Sequence, residues 1–287
     1  MAEEIIVSGE FRTTAKAEKG LAMRAQGDAK VVEFSAVDGD AMFEGDIVLG
    51  PVDDVRRAAL QFLIQQLTTM SLTQMQLPIE LKDAIDELRL AASKPEAAAV
   101  FISGTQRRWP KGVMPFAIDP ALPNPQRVVE AIKHWEQHTS MHMPLRTNEG
   151  DYVVFRPSSG CSSSVGRVGG VQFINLGPEC TRGNVIHEIG HTVGLWHEQS
   201  REDRDAFIKI ELSNIIPGTL HNFNQHISDG DDVGSYDYES IMHYPAFAFA
   251  KEPSKPTIIV PPGTKIGQRE KLSAGDIAAV NKIYPKD

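Results

Sequence analysis

One string constrains this chain more than any other: His187-Glu188-Ile-Gly-His191-Thr-Val-Gly194-Leu195-Trp-His197-Glu198. On an α-helix, residues four apart share a face. His187 and His191 can therefore turn two imidazole nitrogens toward one ion, while Glu188 sits beside them without acting as a ligand. A catalytic zinc takes three protein ligands and keeps one position open, and the third ligand is expected to be His197. A continuous helix would carry residue 197 away from the ion, so the chain must leave the helix. Gly194 offers the left-handed backbone that makes this exit cheap. At this chain's residue frequencies, His-Glu-x-x-His arises by chance in roughly one chain in fifty; requiring Gly194 and His197 as well lowers that to roughly one in twenty thousand.

The remainder of the sequence sets the frame. Its 287 residues carry 29 Lys and Arg against 38 Asp and Glu, a formal charge of −9, with 41% hydrophobic residues. A chain of this length buries enough surface to need no metal or disulfide merely to form a core. The acidic balance opposes attraction to phosphate backbones and anionic lipid, so neither nucleic acid nor membrane is expected as a partner. No apolar run approaches the roughly 20 residues of a membrane helix. The start, Met1-Ala-Glu-Glu-Ile-Ile, lacks the basic and apolar regions of an export signal.

Within the first 50 residues, short apolar runs alternate with Gly and Asp, which predicts short strands. Helical spacing follows from Asp53 to about Leu67, and a second helix is expected from Pro78 to Ala92. Ser93-Lys94-Pro95 reads as a linker. Beyond it come a strand at Val113–Ile118, a helix from Pro125 to Thr139, strands at Tyr152–Phe155 and Val171–Leu176, and then the histidine-bearing helix.

The string His187 to Asp205, ending Arg201-Glu-Asp203-Arg204-Asp205, and the turn Ser240-Ile-Met242-His243-Tyr244 together resemble the astacin branch of the metzincin endopeptidases. The likeness extends over nearly everything after about residue 100. It includes Arg108-Trp109-Pro-Lys-Gly, Gly160-Cys161, Ile266-Gly-Gln-Arg269 and Leu272-Ser-Ala-Gly-Asp276. The resemblance implies an α+β fold: a two-lobed catalytic domain over 99–287 with a zinc-binding active-site helix, preceded by a mixed α/β pro-peptide over 1–98.

Carried over residue by residue, the resemblance implies that His187, His191 and His197 bind one Zn2+ per chain and that Glu188 is the general base. Met242 would lie beneath the metal. Tyr244 would be a displaceable ligand able to donate a hydrogen bond to the oxyanion. Glu198 would meet the new amino terminus after maturation, or else be a solvated helix-end carboxylate. Cys161 and Cys180 correspond to a family disulfide, which favours an oxidising compartment and a secreted or periplasmic protein. Leu195 and Ser140 depart from the family pattern, which commonly has Phe and Cys at these places. Arg201, Asp203, Arg204 and Asp205 read as a structural ion-pair network, and His243 as structural. Arg269 reads either as structural or as a partner for acidic substrate residues.

Phe43-Glu44-Gly45-Asp46 resembles the family segment in which a pro-peptide Asp blocks the zinc, with Gly45 allowing close approach and Phe43 anchoring it. The expected function is a zinc-dependent endopeptidase, latent through Asp46, acting on polypeptides as a monomer once an activating protease cuts near Lys94, Arg107 or Arg108. Two rivals are a non-catalytic zinc-stabilised binding module and a zinc hydrolase of non-peptide substrates. Glu188 argues against the first, since a structural zinc site has no use for a base.

Overall fold

The computed structural model describes residues 4–6, 11–14, 17–23, 29–56, 58, 99–226 and 229–286. The helix expected at Asp53 is seen as helical residues 52–56. Its continuation, the helix expected from Pro78 to Ala92, and the linker with Lys94 lie outside the described residues.

An eight-stranded mixed sheet joins the two parts of the chain. Its order is Glu18–Met23, Ala29–Val37, Asp40–Phe43, Ile47–Pro51, Ser162–Ser163, Val171–Leu176, Tyr152–Pro157 and Phe116–Ile118. The first four strands form an antiparallel meander, whose hairpin at 38–39 takes positive φ at Asp38 and Gly39. The last three run parallel to one another, and Ser162–Ser163 is antiparallel to Val171–Leu176. The seam is narrow: Ile47 pairs in parallel with Ser163, Ser163 N–H donates to Asp46 O (3.0 Å), and Ser164 Oγ donates to Val48 O (3.1 Å). Nothing in the local sequence pattern announces that the early strands extend the later sheet.

Among the described residues, three longer helices carry much of the rest. Gln126–His138 turns Val128, Ala131, Ile132 and Trp135 inward, and the Trp135 indole N–H donates to Ile186 O at 3.1 Å, tying it to the next helix. Arg182–Val193 opens on Thr181, whose hydroxyl accepts from Asn184 N–H while Asn184 Oδ1 accepts from Thr181 N–H. It ends at Gly194, φ +123°. Ala274–Ile283 opens on a similar box between Ser273 and Asp276.

Large cores flank the histidines on both sides. One joins Trp109, Trp135, Phe155, Ile174, Ile186, Ile189 and Val280. The other joins Phe11, Phe223, Tyr236, Tyr244, Phe249 and Ile258. Cys161 and Cys180 are joined in a disulfide, with Cα atoms 5.9 Å apart. Ser140, at the position where the family commonly has Cys, donates its hydroxyl to Tyr284 O, and its N–H donates to Asn281 Oδ1 at 2.7 Å. Hydrogen bonds thus tether the C-terminal helix there. Among the described residues no helix is long and apolar enough to cross a membrane.

Candidate metal centre

His187 and His191 lie one turn apart on the helix Arg182–Val193, fully buried. Gly194 turns the chain out, and the strand Ala99–Ile102 holds the exit: Ile102 N–H donates to Gly194 O (2.7 Å) and Trp196 N–H to Val100 O (2.8 Å). His197 is thereby brought back beside the first two histidines, and Asp46 joins them. One ligand atom from each of the four residues lies within 4.8 Å of the others.

The tautomers are set by partners on the far side of each ring. His187 Nδ1–H donates to Ile241 O (2.8 Å), His191 Nδ1–H to Leu195 O (2.8 Å) and His197 Nδ1–H to Glu44 Oε2 (2.7 Å). Burial pushes the His187 and His191 imidazoles below their ordinary range, so they stay neutral. Each Nε2 then presents a lone pair. Those of His187 and His197 face Asp46 Oδ2 at 3.2 Å, and that of His191 faces Asp46 Oδ1 at 3.7 Å. His191 Nε2 and Asp46 Oδ1, both buried, have no hydrogen-bond partner among the described residues. Asp46 and Glu44 instead push the His197 imidazole up to about 9 against its burial; the lone pairs of neutral His187 and His191 turned on a buried carboxylate repel it unless a cation sits between them. Tetrahedral zinc with bonds of about 2.0–2.1 Å separates its ligands by about 3.3–3.5 Å, close to what is seen. The donor set therefore fits zinc.

Met242 is buried, and its sulfur explains Gly190 of the motif: a Cβ there would lie 2.6 Å from Met242 Sδ. Asp276 braces this turn, accepting from Ile241 N–H (2.9 Å) and Ser240 Oγ (2.7 Å). Arg269 donates to Ile241 O (2.8 Å) and His243 O (3.0 Å), which fits the structural alternative for this residue. His243 is buried between the Tyr236 hydroxyl (2.6 Å) and Tyr244 O (2.8 Å). Arg201 binds Asp203 (2.8 Å), and Arg204 binds Asp205 (3.2 Å).

Tyr244 donates its phenol O–H to Glu44 O at 2.5 Å. Glu188 is fully buried on the helix beside His187. Glu198 corrects one of its two readings: it is not solvated but 1% exposed, accepting from Asp237 N–H (2.8 Å) with Arg201 Nε 3.7 Å away. Burial pushes its carboxyl well above the usual range, against the pull of Arg201. Arg107 and Arg108, two of the expected cleavage sites, lie at the end of a short 3-10 turn, Thr105–Arg107, and are held there. Arg167 pins the carbonyls of Gln106 (3.0 Å), Arg107 (2.7 Å) and Arg108 (3.2 Å).

The segment Phe43–Asp46 is seated by shape. Phe43 packs edge-on to Trp196 and His226. Gly45 takes φ +82°, and a Cβ on it would lie 2.8 Å from the Phe249 ring and 3.1 Å from Phe11. The pattern Phe-x-Gly-Asp did not reveal Glu44, which is buried and bridges His197 and His226, nor Phe11, which packs on Tyr244 with ring centroids 4.6 Å apart.

The family model for Astacin, a peptidase family, matches residues 101–285. The chain belongs to the astacin family. Bone morphogenetic protein 1 of Xenopus laevis is 40% identical over 214 residues, 69% of this chain and 28% of that protein. This chain thus spans under a third of that relative. Astacin-like metalloprotease toxin 1 of Loxosceles intermedia is 40% identical over 189 residues, covering 62% of this chain and 72% of the toxin. Among solved structures, high choriolytic enzyme 1, a hatching enzyme zinc-protease from Oryzias latipes, matches with TM-score 0.57 and 33% identity over 62% of this chain and 92% of that one. The α+β astacin fold and the family's zinc dependence follow for this astacin.

Proposed function

We propose that this astacin is an endopeptidase with one zinc ion per chain, kept latent by its own residues 1–98, with 99–287 as the catalytic domain. The observation that carries the latency is Asp46, whose Oδ2 lies 3.2 Å from the Nε2 atoms of both His187 and His197. Zinc held by His187, His191 and His197 would supply a Lewis acid that lowers the pKa of water to about 7. Glu188 takes the proton from the attacking water and returns it to the leaving amine. Tyr244 spends its only O–H on Glu44 O. When the segment leaves, that donor is free for the oxyanion of the cleaved peptide.

Maturation in this reading cuts upstream of Ala99. The strand Ala99–Ile102 pairs with Gly230–Val233 and braces the turn that carries His197, so a cut at Arg107 or Arg108 would detach a working part. Arg201 lies between Ala99 O (3.4 Å) and Glu198 (3.7 Å), within reach of a terminus freed nearby. The disulfide fits secretion or a periplasmic home. Substrates are polypeptides, an activating protease is required, and the chain acts as a monomer.

The test is to incubate the intact chain with trypsin, quench the trypsin, and follow both mass and chelator-sensitive casein hydrolysis. The intact chain is expected to be inactive and the trimmed chain active. An unprocessed chain, proven by mass, that cleaves casein as fast as the trimmed one overturns the latency.

A further inference from the structure

Two of the contacts that hold the Tyr244 side chain belong to the early part of the chain: Glu44 O, to which its O–H donates, and the Phe11 ring at 4.6 Å between centroids. Both leave with the pro-segment. The clamp on its main chain lies wholly within 99–287. Tyr244 N–H donates to Gln199 Oε1 at 3.1 Å, and Tyr244 O accepts from His243 Nδ1 at 2.8 Å. Pro245 follows and narrows the conformations open to Tyr244. The far nitrogen of His243 meets the Tyr236 hydroxyl at 2.6 Å. A carbonyl only accepts, so Nδ1 carries the proton on the Tyr244 side. The ring is fully buried between two neutral groups, where a charge is costly, and it stays neutral. Nε2 is therefore a lone pair, and the Tyr236 O–H donates to it. Tyr236 is itself locked: it stacks on Phe207 at 4.9 Å between centroids and 12° between planes, with Tyr238 edge-on at 5.2 Å. The Tyr238 O–H in turn donates to Phe207 O at 2.8 Å. If the Tyr236 hydroxyl is removed, the His243 proton can move to Nε2, and Nδ1 then turns a lone pair on the Tyr244 carbonyl, which repels it.

Resting on the peptidase reading above, we infer that Tyr236 and His243 are positioning residues for the reaction: the Tyr236 hydroxyl fixes the tautomer of His243, and His243 fixes the carbonyl of Tyr244. The phenol that the pro-segment releases then turns about a main chain that stays in place. Such a clamp matters because a reacting group has to be held within about 0.5 Å of its productive position, and a donor aimed at a developing oxyanion acts only when it is preorganised.

The first readout is spectroscopic and needs no activity. In the intact chain carrying isotope-labelled histidine, long-range proton–nitrogen NMR spectra are expected to show His243 as the neutral Nδ1–H tautomer. In Tyr236→Phe, which keeps the ring against Phe207, part of the signal is expected to move to Nε2–H. A wild-type His243 that is charged or protonated on Nε2, or a tautomer unmoved by Tyr236→Phe, overturns the inference. The second readout is a double-mutant cycle on the full chain after activation by trypsin, with the trypsin quenched and zinc content matched, read on a quenched fluorescent peptide. Tyr244→Phe is expected to lower kcat about a hundredfold, the loss of one oxyanion donor. Tyr236→Phe is expected to lower kcat about tenfold with KM unchanged, and by no more than about twofold once Tyr244 is already Phe, because the two residues act as one unit. Equal proportional losses in the two backgrounds, or a loss that falls on KM, overturn the positioning role and leave the peptidase reading standing. A Tyr244→Phe chain with wild-type kcat removes the oxyanion donor and the clamp's purpose with it, and overturns the inference. An activated wild-type chain that cleaves neither peptide nor casein removes the peptidase reading and the inference together.

Discussion

The two sides of the metal centre are built by different physics. On the catalytic side, three histidines fall within eleven residues. The rings of two of them are aimed by main-chain carbonyls at Ile241 and Leu195, and the helix ends at a glycine that only needs to turn. On the pro-segment side, Asp46 arrives from 141 residues away along the chain. It stays because Gly45 is wedged between Phe11 and Phe249, and because Glu44 is gripped by two imidazoles. The first side takes its three donors from one short stretch, although His187 is aimed by Ile241 O 54 positions along the chain. The second is a set of side-chain contacts between distant parts of the chain, which the proposed latency would have one cut upstream of Ala99 release.

The sharpest way to separate the two sides is Glu188→Gln in the trimmed chain. It is expected to lower peptide hydrolysis by about a thousandfold while zinc content, measured by atomic absorption, is unchanged. A variant retaining more than a tenth of wild-type activity removes the base from its role. Next in size is the disulfide, which closes the loop next to Ser162–Ser163, the strand where the two sides meet. Reduction should lower unfolding stability by about 3 kcal/mol, read from denaturant midpoints. Non-reducing peptide mapping that returns two alkylatable thiols refutes the bridge.

A smaller effect tests the release side alone. In the intact chain Asp46→Ala and Gly45→Ala should each raise casein hydrolysis about tenfold without cleavage, the weight of one charge-assisted contact. Gly45→Ala acts because its Cβ meets Phe249 at 2.8 Å and its φ is +82°. The trimmed enzyme should not respond to either. Gly190→Ala, driven 2.6 Å onto Met242 Sδ, should instead weaken zinc retention under a competing chelator in both forms. If Gly190→Ala and Gly45→Ala behave alike, the division between the sides fails.

The smallest effect concerns acid. Burial, with His138 beside it, pushes His134 down to about 4, and its Nε2 accepts from Leu272 N–H just before the C-terminal helix. The folded pKa lies below the unfolded value, so the unfolded chain binds the proton first. The contribution is complete above about 6.5 and fades as pH falls toward about 4. Urea midpoints across this window should fall less steeply for His134→Gln than for wild type; parallel curves would exclude His134 as the source.

Reading the sequence went furthest where spacing and local chemistry coincide. The helix expected at 125–139 is Gln126–His138, the strands at 152–155 and 171–176 are Tyr152–Pro157 and Val171–Leu176, and the exit from the motif helix is at Gly194. Arg269 had two readings because an exposed and a buried guanidinium look the same in a string. Its Nη1 bonds to Ile241 O and His243 O fit the structural reading. Glu198 was open for the same reason, and burial settled the solvated alternative.

What the sequence determined by itself is the donor set: two histidines one helical turn apart, a glycine to leave the helix, a third histidine beyond it, and a glutamate beside the first. A 3.6-residue period and a permitted positive φ make those relations local. The tertiary structure alone decided that an edge strand of the early meander joins the later sheet through Ile47 and Ser163. It also decided that Glu44 bridges His197 and His226, and that Arg167 fastens residues 106–108. Those contacts join residues up to 182 positions apart. Their partners are chosen by shape and charge in the packed molecule, which no short window of sequence encodes.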